Sequence, residues 1–176
     1  MLQLILSSLY LFLPAYFANM CPVFAGKLKL PLGKPISEKY LGSHKTWRGF
    51  YMAYIGALLI LFLQAHFQFQ KLNIIMGYPM LDYENINLFL YAFLFGIGAL
   101  TGDLIKSFFK RLLKKQAGSP WFPFDQLDFV LGALIFLAPV YLIPWQNFLT
   151  LLILTPLLHF LSNVIAYFLG LKKVWW

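Results

Sequence analysis

The feature that most constrains this chain is a series of long apolar segments, separated by short segments that carry nearly all of its charge. There are five, in chain order: Leu2–Phe24, Phe50–Phe69, Leu88–Phe109, Phe129–Leu142 with an extension through Tyr141–Trp145, and Phe148–Leu171. A helix needs about 20 mostly apolar residues to cross the hydrocarbon core of a bilayer. Because a spanning segment must satisfy its own backbone polar groups, the sequence predicts an all-α, polytopic membrane protein with about five transmembrane helices.

The composition is that of a membrane protein and argues against a separate soluble domain. The chain has 176 residues, of which 61% are hydrophobic and 11% are charged, whereas an average soluble domain is about 25% charged. We therefore expect one membrane domain over residues 1–176 and no separate soluble domain. The fourth segment is the weakest because Pro139 and Pro144 interrupt it, but spanning helices tolerate proline and we predict that it also crosses.

The basic residues predict the orientation of the helices. All fourteen Lys and Arg residues except Lys71 lie in the first loop, the third loop or the C-terminal tail. Cytoplasmic loops carry an excess of Lys and Arg, so these segments are predicted to face the cytoplasm. With an odd number of spans, the N-terminus is then outside and the C-terminus is cytoplasmic. We expect a multi-pass protein of the cell membrane.

The net charge of +8 has three ordinary explanations in such a protein: topology, attraction to anionic lipid head groups, and ligand binding. Nucleic acid is not an expected partner, because a chain with so little soluble surface has no place for a duplex-sized groove. The oligomeric state is not readable from the sequence. Small membrane proteins often pair, so a homodimer is one arrangement to expect.

The third apolar segment ends in a polar stripe. On a 3.6-residue period, one helix face carries Asp103, Lys106, Ser107, Lys110, Arg111 and Lys114. A solvated amphipathic face on the bilayer surface is the simpler explanation. Asp103 argues against it, because a carboxylate at the buried end of the stripe is costly unless it is paired or binds a cation.

Two more carboxylates, Asp125 and Asp128, follow a segment in which Pro120 and Pro123 prevent a continuing helix. Taken singly, Asp125 is explained as an N-cap and Asp128 as a favourable charge in a first turn. Together, at i and i+3, they project from one face of a helix entrance. If the third and fourth helices form an antiparallel pair, both carboxylates point toward Asp103.

Three carboxylates among lysines at one membrane face predict a site for Mg²⁺ and phosphates. Mg²⁺ usually binds through one or two carboxylates together with substrate phosphates. Lys and Arg side chains beside the ion would neutralise further phosphate charge. This combination is typical of phosphoryl or nucleotidyl transfer, in which catalysis is mostly positioning and electrostatic stabilisation.

Four motifs resemble the archaeal CDP-archaeol synthase family, which is related to the membrane CTP:phosphatidate cytidylyltransferases. They are Leu13–Val23 (LPAYFANMCPV), Lys45–Gly49 (KTWRG), Gly102–Arg111 (GDLIKSFFKR) and Asp125–Phe129 (DQLDF). The similarity therefore runs from about Leu13 to Gly132. The five-helix topology expected above also agrees with that family.

The resemblance implies an enzyme that transfers a cytidylyl group from CTP to a phosphatidate-like ether lipid phosphate, with Mg²⁺ as cofactor and pyrophosphate as the second product. Carried onto this chain, Asp103, Asp125 and Asp128 would hold the metal, and Lys106 would join them in catalysis. The residues implied to bind substrate are Asn19, Lys45, Arg48, Ser107, Lys110 and Arg111. From the residues alone, Asn19 is equally an interhelical hydrogen-bonding residue.

Other functions and roles stay open at this stage. A CTP-dependent lipid or polyprenol kinase would also use Mg²⁺ and basic loops, but it would transfer the γ-phosphoryl group. A non-enzymatic membrane subunit or transporter would carry acids through the depth of the bilayer, whereas these acids cluster at one face. In the fifth segment, His159, Ser162 and Asn163 share a face and are predicted to pack against a neighbouring helix.

Overall fold

The computed structural model describes residues 1–70, 81–115 and 119–168, and these residues are mostly helical. The helices in the described residues are α1 (Leu2–Lys27), α2 (Glu38–Leu41), α3 (Trp47–Phe69), α4 (Leu88–Leu112), α5 (Phe124–Leu137) and α6 (Trp145–Phe168). The β structure within them is limited to an isolated bridge between Pro35 and Thr46. The prediction of an all-α protein is confirmed.

Four of these helices have the length and hydropathy needed to cross a membrane. They are α1, α3, α4 and the Trp145–Ile165 part of α6, with mean hydropathies from 1.5 to 1.9. Many of their large apolar side chains are exposed on the outside of the bundle, as expected where lipid is the surroundings. The number of complete crossings stays a prediction, because α5 differs from the other four.

The predicted fourth span was wrong in its bounds. The sequence predicted a helix over Phe129–Leu142 with an extension to Trp145, whereas α5 begins at Phe124 and has 14 residues. At 1.5 Å per residue, α5 is about 21 Å long, which is short of a hydrocarbon core about 30 Å thick. The helix ends at Leu137, two residues before Pro139. Proline has no N–H group and cannot continue the helical hydrogen bonds, although Ala138 still has helical backbone angles.

Long helices that follow one another in the chain run in opposite directions. The Gln64 side-chain amide of α3 donates to the Tyr10 carbonyl of α1 at 2.5 Å, so the end of α3 lies beside the start of α1. Phe12 packs edge-on against Phe95, which brings α4 against α1. The Asn147 amide donates to the Ser8 hydroxyl at 2.9 Å, so α6 starts at the same end as α1.

The antiparallel pair of α4 and α5 is held together by glycines. An added Cβ at Gly102 would collide with the Asp128 carbonyl, and one at Gly132 would collide with the Gly98 carbonyl. Small residues of this kind let two helix backbones approach closely inside a membrane. The pairing confirms the expected antiparallel arrangement and brings Asp103, which follows Gly102, beside Asp128.

The loop between α1 and α3 is tied down by its own backbone. The Ile36 N–H donates to the Lys45 carbonyl at 2.7 Å, and the Arg48 N–H donates to the Leu32 carbonyl at 2.8 Å. The Arg48 guanidinium also donates to the Leu30 carbonyl at 2.9 Å. These bonds hold the first loop against the end of the bundle and fix the position of Lys45.

The helix directions gather the functional segments at one end of the bundle. The last turns of α1, α4 and α6 and the first turns of α3 and α5 meet there, and we call this the site end. The start of α1 and the end of α6 lie at opposite ends, as an odd number of passes requires. Lys71 and the basic tail at Lys172 and Lys173 lie outside the described residues. The inside-outside orientation stays a prediction that rests on the positive-inside rule.

Candidate active site

The centre of the site end is the ammonium group of Lys106, which three carboxylates surround. Its Nζ atom lies 3.1 Å from Asp103 Oδ1, 3.1 Å from Asp125 Oδ1 and 2.6 Å from Asp128 Oδ2. The side chains are largely buried, with 14% of Lys106 and 5% of Asp128 exposed. Buried charges are tolerated only when they are paired, and this cluster pairs all of its members.

Two further lysines complete the charge balance. Lys45 reaches in from the first loop and forms an ion pair with Asp103. Lys110, one turn beyond Lys106 on α4, places its Nζ 2.7 and 2.9 Å from the two carboxylate oxygens of Asp125 and donates to the Ser119 carbonyl at 2.7 Å. Three aspartates therefore face three lysines, contributed by two helices and one loop.

Asp125 is held in its ionised form by its neighbours. It is not the N-cap, because α5 begins at Phe124 after Pro123; instead its Oδ2 accepts a hydrogen bond from the Trp121 N–H at 2.6 Å. Burial disfavours the charge, but the hydrogen bonds from Lys110, Lys106 and the Trp121 amide outweigh it and lower the pKa of this carboxyl. A carboxylate is therefore present at neutral pH.

The charged cluster forms one side of a cleft of about 860 Å³ at the site end. The predicted site residues that line it are Asn19, Lys45, Arg48, Asp103, Lys106, Lys110, Asp125 and Asp128. Apolar side chains complete the wall, among them Val23 of α1 and Pro156 and Phe160 of α6. The cleft thus joins a charged region to an apolar one.

Two predicted substrate-binding residues stand apart from the described lining of the cleft. Ser107 is buried and its hydroxyl donates to the backbone carbonyl of Asp103 at 2.8 Å. Arg111 donates to the Lys115 carbonyl at 2.5 Å, near the end of α4. Lys114 follows the end of the helix with a φ of 55°, so it leaves the predicted stripe.

The structure adds cleft residues that the sequence analysis did not assign to the site. His44, Gln126, His159 and Asn163 all line the cleft. Interpreting α6 as a packing helix missed the site role of His159 and Asn163. Their i, i+4 spacing in an otherwise apolar helix could have indicated that they line a site. The side-chain nitrogens of Asn163 and His159 are 3.2 Å apart. Ser162 instead donates to the Leu158 carbonyl and is exposed.

The donor set of the cluster suits a magnesium ion that is shared with a substrate. In the part of the chain that the structure describes, no group of three His, Cys, Asp or Glu side chains is arranged to hold a metal ion by itself. The three aspartates do direct oxygen atoms at one cationic group, which in this structure is the Lys106 ammonium. Because Mg²⁺ needs only one or two carboxylates when phosphates supply other ligands, these residues fit it.

A bundle of membrane-spanning length with a buried, charge-balanced Asp–Lys cluster at one end defines an intramembrane enzyme that handles anionic substrates. A family model described as CarS-like, CDP-archaeol synthase, matches residues 1–176. The chain belongs to the CDP-archaeol synthase family, and it is accordingly a membrane lipid cytidylyltransferase. The resemblance inferred from the four motifs is confirmed.

Individual members of this family are similar to the chain over nearly their full lengths. A CDP-archaeol synthase of Pyrococcus horikoshii is 39% identical over 175 residues, covering 98% of this chain and 97% of the relative. A CDP-archaeol synthase of Methanocaldococcus jannaschii is 36% identical over 179 residues, covering 99% of this chain and 98% of the relative. A solved structure described as an intramembrane enzyme for archaeal membrane lipids biosynthesis matches with a TM-score of 0.67 and 29% identity, covering 89% of this chain and 92% of that chain.

Proposed function

We propose that this enzyme transfers the cytidylyl group of CTP to an ether lipid phosphate of the archaeal type, with Mg²⁺ as cofactor. A phosphate oxygen of the lipid attacks the α-phosphorus of CTP and forms a new P–O bond. The bond from the α-phosphorus to the bridging oxygen breaks, and pyrophosphate leaves with that electron pair. The products are a CDP-activated lipid and pyrophosphate.

The observation that carries this proposal is the position of the Asp–Lys cluster. It lies in a cleft that also has an apolar wall from α1 and α6. A lipid phosphate needs both kinds of surface, because its chains stay in the bilayer while its head group reacts with a water-soluble nucleotide. The names of the relatives favour an archaeal ether lipid over a diacyl phosphatidate as the acceptor.

The aspartates supply the metal-binding part of the mechanism. Asp103, Asp125 and Asp128 would hold Mg²⁺, which when bound neutralises phosphate charge and polarises the α-phosphorus. Because the two substrates are both anions, their mutual repulsion has to be offset before they can meet. Lys106 and Lys110 lie where their ammonium groups can exchange a carboxylate partner for a substrate phosphate.

The first loop contributes a cation and a rigid support. Lys45 is paired with Asp103, so phosphate binding would compete for the same ammonium group. Arg48 lines the cleft, but its guanidinium also donates to the Leu30 carbonyl and so braces the loop. We assign Lys45 to phosphate contact and Arg48 chiefly to positioning. The positive-inside pattern predicts that this loop faces the cytoplasm, where CTP is available.

The test is a transfer assay on the purified chain in detergent. It is supplied with Mg²⁺, CTP labelled at the α-phosphorus, and either an unsaturated archaeal ether lipid phosphate or diacyl phosphatidate. We expect label in the organic phase, release of pyrophosphate, and a preference for the ether lipid. Replacing Mg²⁺ with EDTA should abolish the transfer.

A parallel reaction with CTP labelled at the γ-phosphorus separates nucleotidyl from phosphoryl transfer. Cytidylyl transfer leaves the γ-label in pyrophosphate, whereas a kinase would move it into lipid and release CDP. Lipid labelled from the γ-position only would contradict the proposal. Transfer that persists unchanged in EDTA would contradict the assignment of Mg²⁺.

A further inference from the structure

A layer of contacts just below the site fixes how three helices align. The Tyr16 and Thr155 hydroxyl oxygens are 2.7 Å apart, which joins α1 to α6. The Tyr16 ring also packs edge-on against Phe129 of α5, with ring centroids 5.4 Å apart. Tyr16, Phe129 and Thr155 therefore mark the same depth on α1, α5 and α6.

One turn nearer the site end, each of these helices carries an amide or imidazole side chain. Since a turn is 3.6 residues and α5 runs the opposite way, that step reaches Asn19, Gln126 and His159. All three line the cleft, together with Asn163 one further turn along α6. We call these four residues the amide corner. It has no carboxylate or ammonium group, unlike the charged cluster that shares the cleft.

Gln126 stands out within the amide corner. It lies in the first turns of α5 between Asp125 and Asp128, so one short helix supplies both the charged cluster and the corner. Its Oε1 atom is buried and has no hydrogen-bond partner among the described residues. A buried acceptor without a donor is unfavourable, so a ligand that brings an N–H or O–H group to this atom gains from it.

We propose that Gln126 is a specificity-determining residue that accepts a hydrogen bond from the 4-amino group of cytosine; this inference rests on the function proposed above. Cytosine presents an amino donor at the position where uracil presents a carbonyl acceptor. The Gln126 Oε1 acceptor therefore favours CTP. With UTP, the O4 carbonyl of uracil would face Oε1, and neither atom can donate a hydrogen bond. The triphosphate then lies toward the aspartates and lysines that line the same cleft.

The lipid substrate is a poorer partner for this atom. An ether lipid phosphate presents ether and phosphate oxygens, which are acceptors and cannot donate to Oε1. The nucleotide presents two kinds of donor, the 4-amino group and the ribose hydroxyls. The experiment therefore has to separate these two donors.

The experiment compares Gln126→Leu with the unchanged full chain on three nucleotides: CTP, the CTP analogue that lacks the 4-amino group, and 2′-deoxy-CTP. The transfer assay gives kcat/KM for each. We expect the unchanged enzyme to prefer CTP over the analogue about 10-fold or more, and Gln126→Leu to lower kcat/KM for CTP to the level of the analogue. Activity with the analogue should stay within about 2-fold, which also shows that the variant is folded.

The matched control is Gln146→Leu, the same substitution at an exposed position in the first turn of α6, at the opposite end of the bundle. It should keep the full preference for CTP. Equal losses with CTP and the analogue in Gln126→Leu, or an unchanged ratio, would overturn the inference. A lost preference for CTP over 2′-deoxy-CTP would assign the contact to ribose and overturn it as well. An unchanged enzyme without any transfer from CTP would instead overturn the proposed function.

Discussion

Lys106 has an unusual number of charged partners for one side chain. Three aspartates contact its ammonium group, and only 14% of the side chain is exposed. Breaking a buried ion pair by removing one partner costs about 3–5 kcal/mol, because the other charge is left uncompensated. The stability of the site end therefore depends on this residue before any substrate binds.

Lys106→Met should expose that dependence. We expect the thermal midpoint of the detergent-solubilised protein to fall by about 5 °C or more, since the carboxylates lose their shared cation. Mg²⁺ at millimolar concentration should then raise the midpoint more in the variant than in the unchanged protein. Lys39→Met, at an exposed position in α2, is the control and should behave like the unchanged protein. Equal Mg²⁺ effects in all three proteins would contradict a cation site at these aspartates.

Asp128→Asn tests the same site through activity. We expect transfer to fall by about 100-fold or more, because a lost metal carboxylate removes stabilisation needed in the transition state. The midpoint should fall less than in Lys106→Met, because Lys106 keeps Asp103 and Asp125 as partners. Asp125→Asn should act in the same direction. Asp82→Asn, an exposed loop position at the opposite end of the bundle, is the matched control and should keep activity. Normal turnover in both site variants would refute the metal assignment.

The charged residues of the site could be predicted from sequence because local geometry brings them together. Spacing on one helix put Asp103 and Lys106 on a common face, and i, i+3 spacing did the same for Asp125 and Asp128. The amide corner could not be predicted as a group in this way, although the resemblance implied Asn19 and the i, i+4 spacing of His159 and Asn163 was a usable signal. Its members meet only through the alignment of α1, α5 and α6, and residues such as Gln126 have no spacing signal that encodes it.

At the scale of elements, the contact between α4 and α5 decides whether the two halves of the cluster meet. Gly102 faces the Asp128 carbonyl, and the next residue in the chain is Asp103. Any separation of these helices therefore moves Asp103 and Lys106 away from Asp128. The close approach of two backbones here is a functional requirement as well as a packing one.

Gly102→Ala should separate the two helices. The new methyl group meets backbone rather than a flexible side chain, so the helices must shift, and we expect transfer to fall by about 10-fold or more with a lower thermal midpoint. Gly26→Ala is the control, because its Cβ would meet only the Arg48 guanidinium at 3.6 Å. Full activity in Gly102→Ala, measured by the same assay, would mean that the α4–α5 spacing is not limiting.

Helix bounds show where sequence patterns were sufficient and where they failed. The predicted and observed starts agree for the first and third apolar segments, at Leu2 and Leu88. Apolar runs define such helices well because the hydrocarbon core sets their length. The bounds of α5 were missed, because hydropathy extended the segment past Pro139 while the backbone chemistry of proline stopped the helix at Leu137.

At the scale of the whole molecule, the helix directions separate the chain into two ends with different chemistry. The site end gathers the charged cluster and the first loop, and the other end carries Glu84 in the segment before α4. The positive-inside rule then predicts that the site end faces the cytoplasm. This prediction concerns the entire bundle, because a single helix that does not cross the membrane would reverse the predicted side of the segments that follow it.

Single-cysteine labelling tests the orientation. Cys21 is the only cysteine in the chain, so Cys21→Ser gives a background without thiols. Into it we would place Ser43→Cys at the site end or Glu84→Cys at the other end, both exposed positions. A membrane-impermeant thiol reagent added to intact cells should label only Glu84→Cys, and inverted vesicles should give the opposite result. Labelling of both variants from one side would contradict the predicted number of crossings.

The braced first loop has a consequence for the thermodynamics of binding. Its backbone bonds, the bridge between Pro35 and Thr46 and the contact from Arg48 to Leu30 restrict the chain before any substrate arrives. Ordering a free loop costs conformational entropy for every residue that it fixes, and a ligand that must order such a loop binds more weakly. Here folding has already met that cost, so Lys45 would be presented to a bound nucleotide at a fixed place. In the proposed mechanism the loop would act as a preorganised wall of the cleft rather than as a lid that each turnover must close.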